Sequence, residues 1–567
     1  MDVKKIFNHK VFIYINILIL FVLINGIAYS LNIKWDFSKG KVNTLSESTS
    51  RVLKKLKYPL LIEAYISRDI PGQLVAQIQP IIYLLEDIKR VGKEKIHLKI
   101  ISPITEEERS LATKRGIQGI PIEEADLHKA SVRMGYFCIY LQYGDKSTTI
   151  SLVEQGGIVG NFEYLFLKEV KRFFQDEKTI SGIGYVRGNG TLQMRRWQSR
   201  LDQDKDNLYA FKNLIEKDFG QIKEIELNGP IPETIETLIL AGLPKLSSSE
   251  QFYLDQFLLR GGNLVLFLKG FDFTISPPNP QFLQLGISSG SRGFTTIPEE
   301  VKQWNEFLSN YGLQIQERIV LEPALAVPEV DILGQYLGRY PNPSWAFYSQ
   351  ESDNINTEHD LTKNISYVIF PWFSDLSYDP QKQPEVKYYV LVKTTPKAIL
   401  RKESSLSLKD LQFVGQKPLQ EGESFSNASL PVMILAQGKF RSAFKEIKSK
   451  ELASSFLEGQ LANTEGKILL IGTPYLISDI FFRNEANIEY FKVNYSFVQN
   501  LLEYLQGDTD LIAVRSKMPF ISVIQYQFPV ELQKIFAWIH TLTIPVILGI
   551  YGFIRLKNRY RKKGVEQ

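Results

Sequence analysis

Two long stretches without a charged residue frame this sequence: Val11 to Ile33 ("VFIYINILILFVLINGIAYSLNI") and Ile535 to Ile554 ("IFAWIHTLTIPVILGIYGFI"). A helix rising about 1.5 Å per residue over the first covers a hydrocarbon core of about 30 Å. Its Ile, Leu, Val and Phe residues each favour insertion by roughly 0.3 to 0.6 kcal/mol near the bilayer centre, which outweighs a few Asn and Ser. Lys4, Lys5 and Lys10, followed by Ala28-Tyr29-Ser30, also fit a cleaved secretion signal. The apolar core of such a signal covers only about 7 to 15 residues, however, so an uncleaved anchor is the expectation. In the second stretch Pro545 and His540 are tolerable where neighbouring helices satisfy the freed backbone. The run Arg555, Lys557, Arg559, Arg561, Lys562 and Lys563 behind it marks the cytoplasmic side. That tail decides the orientation, because Lys34, Lys39 and Lys41 offset the lysines before the first stretch. The expected arrangement is a two-pass protein of the cytoplasmic (inner) membrane. Residues 1–10 are cytoplasmic, 11–33 and 535–554 span, and 555–567 form a basic cytoplasmic tail. Residues 516–534 are juxtamembrane, and the body between the spans is extracytoplasmic.

With 567 residues, 44% of them hydrophobic, the chain can bury more than one core. Lys and Arg total 67 against 62 Asp and Glu, a balance too even to point to a nucleic-acid partner. Cys138 is the single cysteine, so no internal disulfide forms; its place in "YFCIYLQY" reads as a buried strand position. No G-x-x-x-x-G-K-[ST] run is present, so ATP hydrolysis through a P-loop is excluded. The histidines at 9, 97, 128, 359 and 540 are scattered and make no zinc pattern. The acidic run Glu106-Glu107-Glu108 follows Thr105, where a helix start favours carboxylates, and Glu123-Glu124 likewise reads as structural. The reading therefore assigns no catalytic, cofactor-binding or metal-binding residue, no cofactor, and no enzymatic activity.

The body reads as α/β. Thr44-x-x-Glu47 has the spacing of a capping box, and Val52, Leu53 and Leu56 give the following helix one apolar side, so 34–58 is expected to be a capped linker helix. From "LLIEAYIS" the order is strand, helix, strand, helix, strand, strand, helix over residues 59–175, with a hairpin around Gly144-Asp145. That order resembles the thioredoxin fold, and Gly116 to Pro121 sits where that fold places a cis-proline before its third strand. The C-x-x-C motif is missing, since "SRDIPGQLV" contains no cysteine. A second unit, 176–515, begins with the strand and glycine turn of "TISGIGYVRGNG" and continues through "TLILAG", a helix capped by Ser247-x-x-Glu250, "NLVLFLK" and "GKILLIG". Alternating strands and helices imply a flavodoxin-like or Rossmann-like, mainly parallel sheet. Arg187 stands where the third glycine of a G-x-G-x-x-G would be, so a tight turn is preferred over dinucleotide binding. Residues 323 to 430 lack sustained periodicity and read as an irregular insertion, either a surface excursion or a binding face.

Five segments together carry a family resemblance: the first uncharged stretch, "WDFSKGKVNTLSESTSRVLKKLKYPLLIEAYISRDIPG", "ETLILAGLPKLSSSEQFYLDQFLLRGGNLVLFLKG", "ILAQGKFRSAF", and the closing stretch containing "GKILLIGTPYLISD" and "VNYSFVQNLLEYLQGDTDLIAVRSK". They resemble the GldG-type auxiliary proteins of ABC transporters, first associated with bacterial gliding motility. The resemblance spans nearly the whole chain and is loosest over 270–430. It implies a non-catalytic, membrane-anchored auxiliary subunit beside an ABC permease and a separate cytoplasmic ATPase. Membrane lipid, and an envelope protein or transported substrate, would be its further partners. An extracytoplasmic enzyme or a solute-binding protein built on the same α/β units is the alternative.

Overall fold

A computed structural model describes residues 44–515 apart from 69, 71, 127–128, 155–156, 160, 175–181, 197–205, 277–291, 328–341, 364, 366, 403–404, 408–413, 415–417, 420–421, 445–459, 484 and 508; it also describes 20, 21, 23, 551 and 552. The chain divides into a unit over Met1–Met518 and another over Pro519–Gln567, and every sheet lies in the first. Among the described residues no helix is long and apolar enough to cross a membrane. The expected spans 11–33 and 535–554 fall almost entirely outside the described residues, as do 516–534 and the tail 555–567.

Helix α1, Glu47–Lys54, begins differently from the sequence expectation. Ser46, not Thr44, is the N-cap, and its Oγ accepts the Thr49 N–H at 3.0 Å. In a capping box a Glu at the third helical position would take the N-cap N–H. That position holds Thr49, so Glu163 does the work instead: its Oε1 accepts from Ser46 N and from Thr49 Oγ1, each at 2.7 Å. Val52, Leu53 and Leu56 are buried, as the spacing predicts.

The next elements are β1 (Leu60–Ile66), α2 (Gly72–Gly92), β2 (Ile96–Ile101), α3 (Glu106–Lys114), a hairpin of β3 (Ile120–Asp126) and β4 (Lys129–Gly135), then β5 (Phe137–Tyr143), β6 (Lys146–Ser151) and α4 (Phe162–Phe174). Four of the strands form one sheet in the order β2-β1-β5-β6. Strand β1 runs parallel to β2 and antiparallel to β5, and β6 returns antiparallel to β5. Period-two alternation separates the faces of β1. Ile62 and Ala64 pack with α1, α2 and α4, whereas Tyr65 joins Ala112, Ile117 and Tyr140 on the side of α3. The carboxylates Glu106, Glu107 and Glu108 form the first turn of α3, and Thr105 and Glu108 close a capping box. No peptide bond is cis among the described residues. Pro121 lies inside β3, opposite Met134 in a hairpin separate from the four-stranded sheet, so the cis-proline position has no counterpart there.

The larger sheet has seven strands. It is built from β7 (Ile183–Val186), β8 (Lys223–Ile225), β9 (Thr237–Ala241), β10 (Asn263–Phe267) and, later in the chain, β13 (Val386–Lys393), β14 (Pro431–Gly438) and β15 (Gly466–Ile471). Two further strands, β11 (Asn342–Ser349) and β12 (Tyr367–Pro371), pair with each other outside it. The order across the large sheet is β8-β7-β9-β10-β15-β14-β13. Strands β8 to β15 in that order are parallel, and β14 and β13 are antiparallel additions. Central strands covered on both faces read as unbroken apolar runs, which is what "TLILA", "NLVLF" and "KILLI" are. Leu238, Leu240, Leu264 and Leu266 face α6 (Ser248–Leu259) and α7 (Glu300–Ser309). Ile239, Val265, Leu469 and Ile471 face α5 (Tyr209–Phe219) and α8 (Glu485–Leu505). A last helix, α9 (Thr509–Arg515), follows.

Much of 323–430 is core. Trp345, Tyr348, Phe370 and Trp372 are fully buried, and β13 forms the sheet edge. Short antiparallel strands buried on both faces and interrupted by Pro and Asn turns leave no single period in the sequence, which is why the region reads as irregular.

Candidate functional site

In an open parallel sheet the crevice for a ligand lies beyond the carboxyl ends of the strands, where the strand order reverses. Here that point falls between β7 and β9. Two adjoining hollows of about 900 and 690 Å³ open there and share Arg187, Gly188, Asn189, Leu227, Ser247 and Glu250. Their size is that of a small-molecule pocket.

The floor is set by two loops that touch backbone to backbone. Gly190 and Gly242 have φ of +91° and +123°. A Cβ on Gly242 would stand 2.3 Å from the Gly190 carbonyl oxygen. Leu243 N donates to that oxygen at 2.8 Å, and the Thr191 hydroxyl closes the turn on Gly188 O at 2.8 Å. Behind the loop, burial pushes the Tyr185 phenol far up; it stays a donor, bonded to Leu192 O at 2.6 Å.

Arg187 and Lys245 are exposed on the rim, with no ion-pair partner among the described residues. Lys269 pairs with Asp272 at 2.9 Å, and Asp272 also accepts from the Tyr475 hydroxyl at 3.4 Å. From the far wall Gln303 clamps the loop before α6, taking Leu246 N at 3.1 Å and donating to Leu246 O. Helix starts that would welcome a phosphate are already occupied. Ser247 and Glu250 close a capping box on α6, with Ser247 N bonded to Glu250 Oε2 at 2.7 Å. Asp479, fully buried, accepts the first N–H groups of α5 from Tyr209 at 2.7 Å and Ala210 at 3.0 Å. The chain's own carboxylates thus stand where a dinucleotide's phosphates would. The Ser247 hydroxyl donates to Glu250, but both groups are spent on the cap, so the pair is not a nucleophile with its base.

The other half of the sheet's carboxyl edge is roofed. Arg318 grips Asp375 through two bonds of 2.7 and 2.6 Å, and Ser374 N donates to Gly472 O just beyond β15. Among the described residues the β7/β9 end is open to solvent.

The glycine turn that opens the second unit is therefore a tight turn, and it forms one wall of the cleft. Arg187 was visible in the sequence as the residue that breaks the glycine pattern. Lys245 and Lys269 belong to no sequence motif; their one signal is position, a few residues past the ends of β9 and β10. The acidic pair Glu123-Glu124 lies on β3 away from the cleft, and the side chains of that pair, with His9, His128 and His540, lie outside the described residues. Cys138 is half-buried on β5, and burial raises its thiol pKa. Among the described residues no group of three or more His, Cys, Asp or Glu is placed to hold a metal.

No curated protein matches the chain in sequence. Among solved structures, the N-terminal domain of mmIFT52 is similar over 57% of this chain and 96% of its own, at 11% identity and a TM-score of 0.29. A thua-like protein from Bacteroides uniformis ATCC 8492 is similar over 58% of this chain and 94% of its own, at 11% identity and a TM-score of 0.28. Neither score carries an argument about fold or function. A profile for a domain of unknown function covers residues 39–142. Residues 181–501, more than half of the chain, match the auxiliary family described as an ABC-type uncharacterized transport system. The chain belongs to the auxiliary protein family of ABC-type transport systems.

Proposed function

We propose that this protein is a GldG-type auxiliary subunit, anchored in the inner membrane through 11–33 and 535–554. Its non-catalytic α/β body, with both termini cytoplasmic, would work outside the cytoplasm beside an ABC permease and a separate ATPase. The observation that carries this reading is the family match over 181–501, joined to a sequence framed by two uncharged stretches and free of a P-loop. The strand order β2-β1-β5-β6 supports a thioredoxin-like first domain over 59–175. The run β8-β7-β9-β10-β15 supports a flavodoxin-like second domain over 176–515. ATP-driven movement of the permease would then be felt by the body through its two anchors. Affinity isolation of the intact protein in mild detergent tests this: permease and ATPase subunits should co-elute in fixed proportion. If neither does, and reporter fusions put the body in the cytosol, the reading is wrong.

The open cleft favours a second role on the same body, capture of a polar solute beside Arg187 and Lys245. A solute that raises the melting temperature of the intact protein, and fails to do so after Arg187→Ala with Lys245→Ala, would support that role.

A further inference from the structure

Helix α4 lies between the two sheets, and its polar side chains reach several separate elements. Asn161 caps it, accepting from Tyr164 N at 3.1 Å, and donates from Nδ2 to Val514 O of α9 at 3.4 Å. Glu163 holds Ser46 and Thr49 at the start of α1. The Tyr164 hydroxyl bonds Glu503 of α8 at 2.8 Å, a contact buried at both ends. Lys168 pairs with Asp218 of α5, and that carboxylate also accepts from Tyr495 and Gln499 of α8. Lys171 lies 3.4 Å from Asp510 of α9, which Arg51 of α1 grips at 2.8 Å. On the apolar side Phe166, Leu167 and Val170 are fully buried in the core of the four-stranded sheet, and α9 adds Leu511 and Val514 to that core.

Two consequences follow from this wiring. The first described residues after the first uncharged stretch and the last described ones before the second are both fastened to the start of α4, at Glu163 and Asn161. The second turn of α4, at Lys168, is fastened through Asp218 to α5 and α8, which cover one face of the large sheet. We propose that α4 is a coupling helix: it clasps the segments at Ser46 and Val514 at one point and delivers any displacement of either end of the body to the large sheet through the half-buried Asp218 node. This rests on the proposed reading that both ends lead into a membrane. It adds that the two connections act on the body as one, because a pull on Ser46 or on Val514 loads the same helical turn.

The test uses the full-length protein in nanodiscs, with Cys138→Ser and spin labels on Glu47→Cys and Ala513→Cys. The expected result is one narrow inter-label distance that is lost to a broad distribution in Glu163→Ala and retained in Glu163→Gln, whose side-chain carbonyl still accepts both bonds. An unchanged narrow distance in Glu163→Ala and in Asn161→Ala would overturn the clasp. Should the alanine variants fail to fold, hydrogen exchange of the wild type decides. Amides of 49–54 and of 511–514 must open together with those of α4, and either end exchanging well ahead of α4 sinks the proposal. Flotation with vesicles of phosphatidylethanolamine and phosphatidylglycerol separates the two readings. Failure to float removes the membrane anchoring, whereas the inter-label distance, repeated on the detergent-solubilised protein, addresses the clasp alone.

Discussion

Asp479 caps a helix that begins 270 residues before it: its two carboxylate oxygens accept the N–H groups of Tyr209 at 2.7 Å and Ala210 at 3.0 Å. Leu208, the residue at the N-cap position, offers no side-chain acceptor, so α5 depends on a distant acid to satisfy its first donors. Losing a cap costs about 0.5 to 2 kcal/mol, and leaving buried donors unpaired adds about 1 to 3. Asp479→Ala is therefore expected to lower unfolding free energy by roughly 2 to 4 kcal/mol, and Asp479→Asn by less, because one acceptor survives. Urea titration followed by circular dichroism measures both.

The Asp218 node predicts a pH dependence. Burial opposes ionisation of this carboxyl, but Lys168 and the hydrogen bonds from Tyr495 and Gln499 prevail, holding its pKa below the ordinary 3.8. A carboxylate with a depressed folded pKa adds stability that is present above its unfolded value and lost as pH falls through the folded one. Melting temperature should accordingly fall in acid below about pH 4, and the Asp218→Asn variant should show a smaller fall over that window. Lys168→Met should move the loss to higher pH, since the carboxyl then keeps the burial penalty without its cation.

At the cleft floor, Gly242→Ala places a Cβ 2.3 Å from the Gly190 carbonyl at a φ of +123°. Strain of this kind costs on the order of 1 to 3 kcal/mol, and the clash adds to it. By contrast, a Cβ on Gly188 meets nothing within 4 Å. Gly188→Ala should stay within about 0.5 kcal/mol of wild type, as surface changes do. Differential scanning calorimetry of the two variants tests the pair; equal losses would contradict the back-to-back loop geometry.

Arg318 and Asp375 hold the roof over the covered half of the sheet edge, with the Asp375 side chain only 2% exposed. Asp375→Ala leaves a guanidinium half-buried without its counter-charge and should cost about 3 kcal/mol or more. Replacing both, as Arg318→Met with Asp375→Leu, should cost less than the single change, because no charge is stranded. A double-mutant cycle measured by denaturant unfolding gives the coupling directly.

Several of these elements are legible in the sequence alone. The runs at 237–241, 263–267 and 466–471 announce central strands because both of their faces are covered, and Ser247 with Glu250 announces the start of α6 because a capping box is complete within four residues. The N-terminal helix shows the limit of the same rule. Thr44 and Glu47 have the spacing of a box, yet Ser46 is the cap, since Glu163 on another helix supplies the second acceptor. The region from 342 to 401 hid its strands for a related reason: β13 owes its place to pairing with β14, and neither carries a period strong enough to announce it alone.

What the sequence by itself determined is the set of local choices: where apolar runs are long, where helices start, which glycines can turn, and the absence of a P-loop. Those choices depend on residues within a turn or two of each other, so spacing alone reveals them. Tertiary structure decided that Asp479 stops the start of α5, that the β7/β9 end stays open while the other is roofed, and that Ser46 and Val514 meet on one turn of α4. Each of those outcomes joins residues more than fifty positions apart, and only closing the chain into packed sheets brings such partners within hydrogen-bonding distance.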